Sequence, residues 1–359
     1  LRTFYLILVA SLTAASCGAS RSATSSSTYR LLGETTIPHD MLYNGTTVGG
    51  LSGIDRSPEG TWFIVSDDRS GKNPARFYTA EIDIDADGSV AFRPTSVDTI
   101  RDVTGKPFAM GAVDPESIRF DPENGTLWIT SEGDETLLLD PFVREFSLDG
   151  TFIRQLPMPA MFHFEKGNAN GPRGNGVFEA MTLSADGTQI IVSTEDAMKQ
   201  DGPTISARNG GVVRMTFFDR VSGRPTRQIA YPVEPATRGA HDSIDAGNGV
   251  VEILARDKDH LFVVERAYTP GVGNTVRLYD ADISGASNIA TLKSTSGMTA
   301  RQATKTLLVD FGAIGLKRLD NIEGIAYGPI INGKQTLVAV SDNNFNPQQL
   351  MQIVVLIER

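Results

Sequence analysis

Short apolar runs, alternating with polar positions and set apart by Gly-type turns, recur along nearly the whole chain, while helical periodicity is almost missing. That pattern predicts strands. Five segments, 52–67, 116–132, 179–195, 252–265 and 323–342, share one layout: an acidic or hydroxyl residue opens an apolar run, a turn follows, and a second apolar run closes on an acid. The midpoint of each segment falls on or beside a turn, as at Glu59-Gly60, Asn124-Gly125, Gly187, Lys258-Asp259 and Asn332-Gly333. The two end residues are therefore predicted to face each other across the open end of a hairpin.

A unit of this kind repeating at intervals of roughly 70 residues predicts a β-propeller. Further alternating runs at 77–84 and 90–100, 142–148 and 152–156, 211–218 and 227–231, and 275–279 and 306–311 supply outer strands for four-stranded blades. Only one strand, 351–357, follows the last hairpin, and the strand at 29–37 has no blade of its own. Joining the two closes the ring and removes free sheet edges. The expectation is an all-β propeller of five four-stranded blades, with the N-terminal strand completing the last; a sixth blade would have to hide in the insertion at 282–303.

The first residues change the picture only outside this array. Arg2, an apolar stretch at 4–12 and small residues ending at Cys17 resemble a bacterial export signal of the lipoprotein type, so residues 1–17 are read as a signal peptide. Residues 18–28 are a Ser-rich tether, and 29–359 form the propeller domain. The expected location is periplasmic, outer-membrane-anchored or secreted, with membrane contact only through a lipid on Cys17. A net charge of -10 argues against nucleic acid and anionic lipid as partners, since both need a basic surface. Cys17 is the only cysteine, which leaves the propeller without thiol or disulfide chemistry.

Ring symmetry brings the paired ends of all five hairpins to one face. Nine of the ten positions are carboxylates: Asp67, Glu116, Glu132, Glu179, Glu195, Glu252, Glu265, Glu323 and Asp342, with Ser52 the exception. Two like charges at close range repel by about 4 kcal/mol at an effective dielectric near 20, so these acids must be protonated, paired or neutralised by a cation. Oxygen ligands favour Ca²⁺. Zinc is disfavoured, because His39, His163, His241 and His260 show no ligand spacing. Arg69, Arg76, Arg119, Arg173 and Arg266 lie close in sequence to the same strand ends and offer two-point grips for an anionic substrate. The structural alternative is that these acids form salt bridges only. Trp62 and Trp128, at matching places on second strands, are expected in the core.

Stretches at 49–78 (GGLSGID and SDDRSGKNPARFY within it), 114–118 (DPESI), 173–187 (RGNGVFEAMTLSADG), 263–268 (VVERAY) and 320–328 (DNIEGIAYG) resemble the phytase-like family, described as having esterase-like activity. By analogy with calcium-dependent alkaline phytases, the resemblance implies ester hydrolysis with calcium held by carboxylates. It implies Glu116, Glu179, Glu195 and Glu323 as metal ligands or the base and Arg76, Arg173 and Arg266 as substrate clamps; together with the acid ring, the expected site has Asp67, Glu116, Glu132, Glu179, Glu252, Glu265, Glu323 and Asp342 as metal ligands and Glu179 and Glu195 as catalytic groups. The dense aspartate motifs of alkaline phytases are missing here, and their ring has six blades. Two other readings stay open: a calcium-stabilised binding propeller without chemistry, and a lactonase using Asn175, Asn321 and Asn343 around a single ion.

Overall fold

The structure, a computed structural model, describes residues 28–236 and 246–359. The segment read as a signal peptide, Cys17, nearly all of the segment read as a tether, and His241 lie outside the described residues. Twenty of the strands form five antiparallel sheets of four. From the axis outward, blade I runs Leu51–Arg56, Trp62–Ser66, Arg76–Ile84 and Val90–Thr99. Blade II follows as Pro115–Asp121, Thr126–Ser131, Phe142–Phe146 and Phe152–Gln155, and blade III as Ala180–Leu183, Gln189–Ser193, Gly211–Asp219 and Pro225–Val233. Blade IV is Gly247–Ala255, His260–Thr269, Gly273–Asp282 and Thr304–Asp310. Blade V takes Asn321–Tyr327, Thr336–Asp342 and Met351–Glu358 from the C-terminal end, and its outer strand is Tyr29–Ile37.

The terminal strands pair antiparallel from Tyr29 opposite Glu358 to Ile37 opposite Met351, so hydrogen bonds between the two ends of the chain close the ring. The insertion at 283–303 contains no strand. It runs along the outer edge of blade III, where the Ile289 and Ala303 amides donate to the Gln228 and Ala230 carbonyls at 2.8 and 2.9 Å. An edge that would otherwise stay open is thereby covered.

Each blade is apolar on both faces, because each face packs on a different neighbour. Along the second strand of blade I, Trp62 and Ile64 join a core shared with blade V, while Phe63 and Val65 join one shared with blade II. The same division repeats between blades II and III, III and IV, and IV and V. Trp62 and Trp128 are both buried in these cores.

The ladder register at the inner strands sets the site. Between Leu51 (opposite Ser66) and Gly53 (opposite Val65), Ser52 is an extra residue, a β-bulge. The same irregularity falls at Glu116 in blade II and at Glu323 in blade V. A bulge turns its extra side chain out of the ladder. In blade IV the bulge falls on Val251, because Val250 faces Glu265 and Glu252 faces Val264.

The matching residues are therefore Ser52, Glu116, Glu179, Val251 and Glu323 on inner strands. Asp67, Glu132, Glu195, Arg266 and Asp342 match one another at the ends of second strands. This corrects the expected pairing of Glu252 with Glu265, which is one residue out of phase. The crown holds seven carboxylates rather than nine, and Arg266 stands where the other blades place an acid.

Candidate active site

The mouth of the ring is a cavity of about 1020 Å³ lined by Asp67, Asp114, Glu116, Glu132, Glu179, Glu323 and Asp342, together with Arg69, Arg266 and Arg318. Most of the acids are tied by one or two contacts. Ser52 Oγ donates to Glu116 at 2.8 Å, and the Val177 amide donates to Glu132 at 2.5 Å. Arg69 lies 3.4 Å from Asp114 and 2.7 Å from Asp134. Asn321 donates to Glu323 and Asp342 at 2.9 and 3.3 Å, and Arg266 lies 3.3 Å from Glu195 and 3.2 Å from Glu323.

Glu179 is different. Its side chain is among the buried ones, at 6% exposure, and it lines the cavity. No hydrogen bond or ion pair engages its carboxylate among the described residues. Oδ1 of Asp67 is likewise buried without a partner. A buried charge left unpaired is costly, so such groups shift their protonation or take up a cation.

Burial, then repulsion from neighbouring acids, pushes Asp67, Glu116, Glu132 and Glu179 well above the usual carboxylate range. Burial also raises Asp114 to about 7 and Glu323 to about 8, against the opposing pull of Arg69 and Arg266 respectively. Asp342 rises to about 6, limited by the Asn344 amide and Arg266.

Carboxylate oxygens of Asp114, Glu116 and Glu132 lie within 4.8 Å of one another, as do those of Glu132, Glu179 and Glu195. Two oxygens on one Ca²⁺, each at about 2.3–2.6 Å, sit no more than about 5 Å apart. The all-oxygen donors, their spacing and the unpartnered Glu179 fit a hard divalent ion. Blades II and III supply every member of both trios.

The geometry separates the remaining candidates from this group. Glu252 points along the axis beneath the mouth, 2.8 Å from Arg119, and accepts from Ser117 Oγ and the Met181 amide. Glu265 holds the place filled elsewhere by Ser66, Ser131, Thr194 and Ser341; it pairs with Lys305 and accepts from Tyr231 Oη at 2.8 Å. Neither lines the cavity.

Arg76 is fully buried against Asp68, Tyr78 and the Thr47 carbonyl, and Arg173 is spent on the Ala197 and Gly202 carbonyls. Of the three expected clamps only Arg266 reaches the mouth, where Arg69 and Arg318 are the partly exposed guanidiniums. Asn175 and Asn321 line the cavity, whereas Asn343 is committed to the Gly50 amide and His39. Asp114 was legible two positions before Glu116 but lies ahead of the paired end positions, and so escaped the hairpin pattern.

Residues 46–345 match the family model described as phytase-like, esterase-like activity of phytase. The chain belongs to the phytase-like family. No curated protein matches it. Among solved structures, the phytase-like chain aligns with the PQQ-bound aldose sugar dehydrogenase from Streptomyces coelicolor (10% identity, TM-score 0.38, covering 90% of this chain and 98% of that one). An exo-1,5-alpha-L-arabinanase from a bovine ruminal metagenomic library aligns at 11% identity and TM-score 0.41, covering 85% and 92%. The catalytic domain of the Coprinopsis cinerea GH62 alpha-L-arabinofuranosidase aligns at 10% and 0.43, covering 92% and 97%. Likeness of this degree says nothing about chemistry.

Proposed function

We propose that this phytase-like propeller hydrolyses a phosphate ester or a related ester at its acidic mouth with the help of a divalent ion, calcium by the nature of its donors. The observation that carries this reading is Glu179, a buried carboxylate without a partner that faces a cavity of other acids. Asp114, Glu116 and Glu132 would hold the ion. When bound, it would supply Lewis-acid charge to the ester oxygen.

The chain's own groups do the rest. Arg69 and Arg318, partly exposed on the cavity wall, orient an anionic substrate. Glu179 Oε takes the proton from the attacking water, a task suited to a carboxyl that burial and the neighbouring acids make more basic than an ordinary one. Glu195, matched to Glu179 across the hairpin, is held by Arg266, whose charge opposes the rise that burial imposes on its carboxyl.

The test is turnover of phosphomonoesters, phosphodiesters, carboxyl esters and lactones, with calcium and with excess chelator. Activity on at least one class that falls at least tenfold under chelation and returns with added calcium is expected. No turnover of any class by folded, calcium-loaded protein would reject the reading in favour of a binding propeller. Turnover of lactones alone would assign the Asn175 and Asn321 side of the mouth to a lactonase.

A further inference from the structure

Four blades place an acid at the end of the second strand, Asp67, Glu132, Glu195 and Asp342, and blade IV places Arg266 there. Its inner-strand counterpart is Val251, so blade IV adds no carboxylate to the crown and one cation. The guanidinium bridges Glu195 of blade III and Glu323 of blade V, at 3.3 and 3.2 Å. We propose that Arg266 is a built-in counter-cation standing where a divalent ion would otherwise sit, so that ion binding is confined to the half of the mouth built by blades II and III. This deepens the divalent-ion reading of the mouth and rests on it.

Three observations carry the division. Both carboxylate trios with ligand spacing lie in blades II and III: Asp114 with Glu116 and Glu132 is clear of Arg266, whereas Glu132 with Glu179 and Glu195 shares Glu195 with it. Glu179, the buried acid with no partner, belongs to the same half. In the other half Glu323 is answered by Arg266 and Asn321, and Asp342 by Asn321 and the Asn344 amide, which leaves Asp67 of blade I as the crown acid there with a buried oxygen and no partner.

A guanidinium cannot be displaced as an ion can, because it is tethered to the strand. Two positive centres a few ångström apart repel, so a fixed charge between Glu195 and Glu323 disfavours a divalent ion on the same oxygens. Arg266 Nε is buried without a hydrogen-bond partner, so the side chain sits where its charge is needed and forgoes one donor contact.

Calorimetric titration of Ca²⁺ into wild type, Arg266→Gln, Glu323→Gln and the double variant tests this, with circular dichroism to confirm each fold. Arg266→Gln is expected to bind one more ion than wild type. Glu323→Gln alone should leave the wild-type count unchanged, and in the double variant the added ion should be lost. Equal counts in Arg266→Gln and wild type, or a count lowered by Glu323→Gln alone, would overturn the proposal. Should Arg266→Gln fail to fold, the Glu323→Gln count and the charge-keeping Arg266→Lys, expected to match wild type, still decide it. Absence of calcium binding in every protein would reject the divalent-ion reading itself and this inference with it.

Discussion

Replacing Glu179 by Gln is expected to stabilise the ion-free protein while cutting ester turnover by about 10²–10⁴-fold, the range for loss of a general base. Both effects come from one fact: the carboxylate is buried beside other acids and has no partner. In the ion-free protein burial and the neighbouring acids oppose its charge more than Arg266 favours it. In the reaction it is the proton acceptor, and an amide cannot replace it.

The pH dependence has a definite sign. Unfolded carboxylates ionise near pH 4, whereas in the folded protein Asp342 does so at about 6, Asp114 at about 7 and Glu323 at about 8. Between about pH 4 and 8 the native state thus holds more protons than the unfolded one. Ion-free stability must fall as pH rises through that window. Melting curves across pH 4–9 check this, and the Glu179→Gln variant should show a shallower fall. Calcium at about 100 times its dissociation constant should restore about 2.7 kcal/mol at the alkaline end. Equal turnover in variant and wild type would remove Glu179 from the chemistry.

The second large effect concerns the axis beneath the mouth. Arg119 is 2% exposed, and its guanidinium donates to the carbonyls of Ile54, Met181 and Ile253, which belong to blades I, III and IV, while its own strand belongs to blade II. It also neutralises Glu252. Arg119→Met leaves that acid buried without a cation and three carbonyls without their donor, and is expected to cost about 3–5 kcal/mol. Natural domains hold only about 5–15 kcal/mol in total, so the variant sits near the threshold of folding. Urea denaturation gives the value. Adding Glu252→Gln should recover part of the loss by removing the uncompensated charge, a coupling that a double-mutant cycle measures.

Much of this fold was legible because a propeller repeats. Alternation located the strands to within a few residues, and the unpaired strand at 29–37 against a three-stranded last blade required closure by the chain ends. What symmetry could not supply was phase. Matching Glu252 to Glu265 by distance from the turn ignored the bulge, which shifts the inner strand by one residue against its partner. Aligning the apolar run of Val263-Val264 with Val338-Ala339-Val340 instead would have placed Glu265 beside Ser341 and Arg266 beside Asp342. The side-chain partners were beyond sequence altogether. Nothing in the spacing of Arg76 or Arg173 distinguishes a guanidinium turned to protein groups from one turned to solvent, because that choice depends on how the loops beside each blade fold back, bringing the Thr47 carbonyl to Arg76 and the Ala197 and Gly202 carbonyls to Arg173.

The most direct test is where an ion binds. Crystals soaked in calcium, or in a lanthanide substitute with strong anomalous scattering, are predicted to show a peak about 2.3–2.6 Å from oxygens of Asp114, Glu116 and Glu132. A calcium-saturated crystal with no peak among these three acids, or with the ion bound only elsewhere, would contradict it.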